Sequence, residues 1–189
     1  MAPLLVRKRT IVAASLSLVI FSATISVLIG IGTAQDSLIG NPDAYVIMSK
    51  GSESILNSML ETRLANQLRE NGFADNVSPE IFAFAEIEGK AIIVRGVEFD
   101  SFMAVEKAKL IQSGSMPVNS YQGLIGSRLA ERLHAKIGDR FPLVGSYNPS
   151  IAEVEIVGIF ESSTPVEDEM IVSLQLARFC PELRAGSSL

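Results

Sequence analysis

Few residues in this chain are of types that do chemistry, and they are scattered. His134 is the only histidine. A zinc site needs three or four Cys, His or carboxylate ligands, so one imidazole beside Glu131 reads as a surface histidine. Cys180 is the only cysteine; no intramolecular disulfide forms, and the fold must stand on its apolar core. Ser49-Lys50 brings together the residue types of a serine–lysine hydrolase, but neighbours in a strand point to opposite faces. No Gly-x-Ser-x-Gly elbow accompanies them. Glu167-Asp168-Glu169 lacks the spacing of a calcium loop and reads as a charged loop. Gly123-Leu124-Ile125-Gly126-Ser127 lacks both the lysine and the spacing of a phosphate-binding loop. These patterns predict no catalytic group, no metal and no cofactor on this chain. If ATP matters, a partner subunit binds it.

The strongest signal is a segment without any charge. Ile11 to Ala34 is 24 residues of mostly Ile, Val, Leu and Ala, and about 20 apolar residues in a helix span a bilayer. Backbone groups in lipid must be satisfied internally, which makes the segment helical. Arg7, Lys8 and Arg9 precede it and Asp36 follows, so the N-terminus is expected in the cytoplasm and the rest outside. Gly32-Thr33-Ala34 is an acceptable cleavage site, but the apolar run exceeds the about 7–15 residues of a signal peptide core; an uncleaved anchor in membrane lipid is expected. Ser15, Ser17, Ser22, Thr24 and Ser26, with Gly30 and Gly32, suggest a helix packed against others. The expected organisation is residues 1–10 in the cytoplasm, 11–34 in the membrane, 35–179 as an extracytoplasmic domain and 180–189 as a tail. Residues after the span carry all 21 acidic and 13 of the 16 basic residues. That acidic balance argues against nucleic-acid binding.

Within the outer domain, Asp43 to Ser49 reads as a first strand. Ser52 is a fair N-cap for a helix with an apolar stripe of Ile55, Leu56, Met59, Leu60, Leu64 and Leu68, stopped by Asn71-Gly72. Val77 to Ile87 and Ala91 to Val97 read as a hairpin around Glu88-Gly89-Lys90. Phe99 to Ile111 is weakly helical, and Ser113 to Pro117 is loop. Gly123 to Gly126 is a short strand entering a helix, Ser127 to Ala135, whose Leu129 and Leu133 share a face with Ile137. Arg140 to Val144 and Ala152 to Phe160 are strands around a Gly-Ser-Tyr-Asn-Pro-Ser loop. In the second, Val154, Ile156 and Gly158 alternate with Glu153, Glu155 and Val157. An acidic loop, a strand Met170 to Val172 and a short helix near Ser173 to Phe179 follow. Strands and helices mix without βαβ alternation, which predicts an α+β domain with mostly antiparallel sheets.

From about residue 11 to 179 this order resembles the extracytoplasmic core of FtsX-like ABC-transporter permeases of the lipoprotein-release and macrolide-export (MacB) type. The resemblance is carried by Tyr45-Val46-Ile47 after the membrane helix, Val94-Arg95-Gly96-Val97-Glu98-Phe99-Asp100-Ser101-Phe102, and Ile111-Gln112-Ser113-Gly114. Further pieces are Leu124-Ile125-Gly126-Ser127-Arg128-Leu129-Ala130, Ile137-Gly138-Asp139-Arg140-Phe141 and Glu155-Ile156-Val157-Gly158-Ile159-Phe160. It implies an outer domain of two small lobes and a homo- or heterodimeric permease driven by a cytoplasmic ATPase. Gly96, Gly126, Gly138, Asp139 and Gly158 are expected as structural turn positions, with Asp139 bonding the turn's own backbone. Permeases of this type have about three further membrane helices, and no second apolar run of about 20 residues occurs here; a chain carrying the remaining helices is the expected partner. A free-standing anchored binding module is the alternative reading, and a membrane-anchored serine hydrolase the third.

Overall fold

The computed structural model describes residues 2–145 and 151–179. The Tyr147 loop, Cys180 and the 180–189 tail lie outside the described residues, apart from Gly145 at the loop's start. The chain divides into two compact units with the boundary after Ile39.

The first unit is helix α1, Ala2–Ile39. Its stretch Ile11–Gly30 has a mean hydropathy of 2.3 and is long and apolar enough to cross a membrane. Its hydroxyl side chains bond within the helix. Ser15 donates to the Ile11 carbonyl at 2.7 Å, Ser17 to Ala13 at 3.0 Å, Thr24 to Ile20 at 2.9 Å and Ser26 to Ser22 at 2.9 Å. Each polar group is thereby satisfied one turn back, as lipid requires. These hydroxyls are satisfied within the helix itself.

The second unit is α+β. Its strands are β1 (Glu80–Ile87), β2 (Lys90–Val97), β3 (Lys109–Ile111), β4 (Gln122–Gly126), β5 (Arg140–Gly145), β6 (Ile151–Glu161) and β7 (Glu169–Ser173). Four short helices accompany them: α2 (Thr62–Glu70), α3 (Phe99–Val105), α4 (Ser127–Leu133) and α5 (Leu174–Phe179). All seven strands form one sheet in the order β3-β6-β4-β7-β2-β1-β5, and β5 also pairs with β6. Six strands thus close into a ring, with β3 on the outer edge of β6 beyond β5. Five of the seven pairings are antiparallel; β2–β7 and β4–β6 are parallel. The β1–β2 hairpin turns on Glu88 (φ 52°) and Gly89 (φ 75°), a two-residue loop whose twist matches the strands.

Two apolar clusters share this sheet, where two lobes were expected. The larger takes buried residues from all six ring strands, including Ala83, Val94, Ile125, Leu143, Ile156 and Met170, and is the filling of the ring. Leu129 and Leu133 of α4 and Leu176 and Ala177 of α5 complete it. The smaller joins Phe102 of α3 to Val97, Leu124, Phe160 and Ile171 on the other face. Phe102 and Phe160 meet edge to face, 6.0 Å between centroids.

Three expectations fail locally. Residues 43–49 form no strand; Tyr45 is 99% exposed, and Val46, Ile47 and Met48 are also open to solvent. The helix expected from Ser52 begins only at Thr62, after a 3-10 turn at Ile55–Asn57. Serine hydroxyls satisfy the backbone here instead: Ser58 accepts from the Ser49 N–H at 2.8 Å, and Ser54 from Leu56 at 3.1 Å. The expected stop is real, since the Phe73 N–H reaches the Leu68 carbonyl and Gly72 reaches Arg69, a Schellman closure at φ 66°. Finally, the alternation along β6 breaks. The register with β4 slips between Gly123 and Leu124, which leaves Val157 as an extra residue. After this bulge Gly158 lies against Leu110 and Leu124, on the opposite face from Ile156.

Candidate functional site

Arg95 is the most unusual buried group. It stands in the middle of β2 directly opposite Phe82 of β1, and is 1% exposed. Its guanidinium lies 4.4 Å over the Phe82 ring. Two edges of the fork are filled by carboxylates from the flanking strands. Glu169 of β7 takes Nε at 2.6 Å and Nη2 at 2.7 Å, and Glu80 of β1 takes Nη1 at 2.6 Å. Strand register sets this up: both acids are diagonal neighbours of Arg95 on the same face of the sheet. Burial opposes the Arg95 charge, but the bonds and field of Glu169 and Glu80 outweigh it and hold the pKa raised. A bidentate pair with both partners buried is strong but costly to form.

A second buried carboxylate lies nearby. Glu106 caps α3 and is 2% exposed. It accepts from the Thr164 hydroxyl at 3.2 Å and from the backbone N–H of Asn41. Burial, with a contribution from Glu80, raises its pKa against the lowering effect of Asn41, Arg95 and Thr164. Gly40 packs so closely that a Cβ there would overlap the Glu106 carboxylate, and its φ of +79° also excludes most side chains. The Asn41 amide donates to the Val105 carbonyl at 2.6 Å while its oxygen accepts from Asp43 N–H at 3.0 Å. At the rim Lys107 pairs with Asp43 at 2.7 Å.

The Glu167-Asp168-Glu169 segment, expected as a charged loop, is the end of a 3-10 turn running into β7, with two of its three acids buried. Glu167 is 8% exposed and Glu169 is 2% exposed; only Asp168 faces outward. Burial pushes the Glu167 carboxyl up, but the N–H groups of Ser162 and Ser163, the Ser127 hydroxyl and Arg128 together hold it below its ordinary value. Arg128 also bonds Asp168 at 2.8 Å and the Thr164 carbonyl at 2.7 Å, fixing the turn against α4.

The glycines singled out in the sequence are spread through the domain. Gly96 lies within β2, not at a bend, where a Cβ would run into the Ala177 methyl of α5. Gly126 precedes α4, with the Glu167 backbone against it. Gly138 has φ 95° and donates to the Ile156 carbonyl at 2.7 Å. The Asp139 carboxylate accepts from Lys136 N–H at 2.7 Å, across its own turn. Gly158 follows the β6 bulge. Ser49, once paired with Lys50 in the sequence, bonds Ser52 and Ser58 instead. His134 takes the left-handed position at the end of α4. Among the described residues no three His, Cys, Asp or Glu side chains are grouped to hold a metal.

An open groove of about 550 Å³ runs between α2 and α3, lined by Arg69, Asp75, Glu98, Phe99, Asp100 and Met116 among others. Its arginine is already held by Glu98 at 2.5 Å and the Val77 carbonyl at 2.6 Å. Sequence reasoning missed Arg95, Glu106 and Glu169 as a group. The one signal for it is an arginine inside Ile92-Ile93-Val94-Arg95-Gly96-Val97, a run apolar on both faces; such a charge is buried only if acids from neighbouring strands meet it.

Comparison with known proteins adds the family. Residues 10–185 match the MacB-like periplasmic core domain. No curated protein matches the chain. Among solved structures, the chain is similar to the extracellular domain of the noncanonic ABC-type transporter YknZ from Gram-positive bacteria. That likeness has 17% identity and a TM-score of 0.47, covering 76% of this chain and 70% of that one. It is also similar to a domain described as that of a permease protein from Porphyromonas gingivalis, at 18% identity and a TM-score of 0.39, covering 59% of this chain and 61% of that one. Because the family match takes in nearly the whole chain, membrane-length helix and sheet alike, this protein belongs to the MacB-like periplasmic core domain family.

Proposed function

We propose that this chain is the anchored outer part of an ABC-transporter permease, with its N-terminus in the cytoplasm and residues 40–179 outside the cell membrane. The observation that carries the reading is the family match over residues 10–185, which runs through both the membrane-length helix and the outer domain. Its work is mechanical: the outer domain contacts substrate or a partner and moves with ATP-driven changes on the cytoplasmic side. Bond chemistry is not part of the role, and ATP binds a partner ATPase. The remaining membrane helices complete the permease, as a dimer of like or related chains. A closed ring of strands suits that task, because it moves as one body.

The test is affinity capture of the full chain from mild-detergent extracts of its own cells. Recovery of an ABC ATPase and a polypeptide with further spans, in fixed ratio to the bait, supports the reading. A monomeric chain with neither partner, from extracts in which other ABC complexes stay intact, refutes it.

A further inference from the structure

Glu106 has no part in the coupling role proposed above, and a fully buried carboxylate is unusual in an ordinary domain. A buried carboxylate is costly unless its bonds serve something. Three segments far apart in sequence end on this one: Gly40-Asn41, the end of α3, and Thr164. The first of these is the chain immediately after α1, whose last residue is Ile39. We propose that Gly40–Asp43 is a releasable strap, latched onto the end of α3 by Glu106, and that its release frees the segment leaving the membrane helix without unfolding the ring.

Four observations carry this. The strap is held by polar contacts: the Asn41 N–H on Glu106, the Asn41 amide on the Val105 carbonyl at 2.6 Å, and the rim pair of Asp43 with Lys107. Segments with few buried apolar contacts are the ones that open locally, and neither Gly40 nor Asn41 brings an apolar side chain to the core. The residues beyond, 44–54, belong to no strand or helix, so opening tears no ladder. Gly40 is shaped to the closed state, since any Cβ would strike the Glu106 carboxylate. Finally, Glu106 is an imperfectly compensated charge. Burial is the largest influence on it and opposes the charge, as do the nearby charges of Glu80 of β1 and Glu169 of β7, while Asn41, Arg95 and Thr164 favour it. A latch held at such a cost gives way before the ring does.

The inference rests on the proposed coupling role but is tested without any partner. Amide hydrogen exchange is followed on the full chain in detergent, comparing the Asn41, Asp43 and Ala44 amides with ring amides such as Val94 and Ile171. Glu106→Ala should speed exchange of the strap amides at least about tenfold, with ring amides within about twofold. Glu106→Gln keeps a carbonyl acceptor and should stay near wild type. Gly40→Ala, which alters only the strap side, should open the strap as Glu106→Ala does. If Glu106→Ala loosens the ring equally, Gly40→Ala decides: strap opening alone supports the latch, and unchanged strap protection overturns it. Unchanged strap exchange in Glu106→Ala overturns it directly. Capture of an ATPase is independent of all these outcomes, so failure of the latch and failure of the permease reading are told apart.

Discussion

Replacing Arg95 by methionine removes the cation that the buried Glu169 and the half-buried Glu80 share. Methionine fits the space over Phe82 roughly, so the loss is chiefly electrostatic. Arg95 and Glu169 have side chains 1% and 2% exposed, and Glu80 19%, so solvent screening offers little relief. Breaking a buried pair by removing one partner costs about 3–5 kcal/mol. That is a large part of the about 5–15 kcal/mol that holds a domain together. At about 2–4 °C per kcal/mol for a chain of this size, the melting temperature should fall by about 6–20 °C. The deficit also has a pH signature. Burial already holds the folded pKa of Glu169 above its ordinary value against the pull of Arg95, and removing Arg95 raises it further. The neutral carboxyl is tolerated below the unfolded pKa, and the deficit grows as pH rises through the folded pKa. Thermal unfolding of the full chain in detergent, followed by circular dichroism at pH 5 and pH 8, reads both. Adding Glu169→Leu should recover part of the loss, with a coupling of at least about 2 kcal/mol in the double-mutant cycle. A deficit under about 1 kcal/mol at pH 8, or one that is no smaller in acid, refutes the claim that Arg95 holds desolvated charges.

Gly96→Ala should cost about 1–3 kcal/mol, because the new methyl meets Ala177 where α5 lies on β2; Ala177→Gly in the same chain should restore most of the melting temperature. Glu167→Gln should lower stability at pH 7 by about 1–2 kcal/mol. Since the Glu167 pKa is held low, its share is present above the unfolded pKa and lost as pH falls through the folded one; denaturant midpoints should therefore converge with wild type in acid. Lys50→Cys, just past the exposed Tyr45–Met48 run, should react with a membrane-impermeant maleimide on intact cells, and labelling only after lysis would reverse the proposed orientation.

The anchor was legible from one dimension. An uncharged run long enough to cross a bilayer, with Arg7-Lys8-Arg9 at one end, depends on composition and length, and no tertiary contact is needed to recognise it. So were the strongly patterned strands and the stops: Asn71-Gly72, Glu88-Gly89 and Gly138-Asp139 are local backbone geometries that their own residues dictate. Where two local preferences competed, the sequence misled. Residues 52–61 carry a helical stripe, yet their serines bond the backbone first, and Asp43 to Ser49 has strand composition but no strand beside it. Ring closure through β5, the bulge at Val157 and the meeting of Arg95, Glu80 and Glu169 were decided only by tertiary structure. Each depends on which strand lies next to which, and Arg95 and Glu169 meet across 74 residues of sequence. The same holds for Glu106, which in sequence lies within the weakly helical Phe99 to Ile111 stretch with nothing to mark it. Only the folding of Gly40-Asn41 and Thr164 over it turns that side chain into a buried junction, because desolvation is a property of the surroundings and not of the residue.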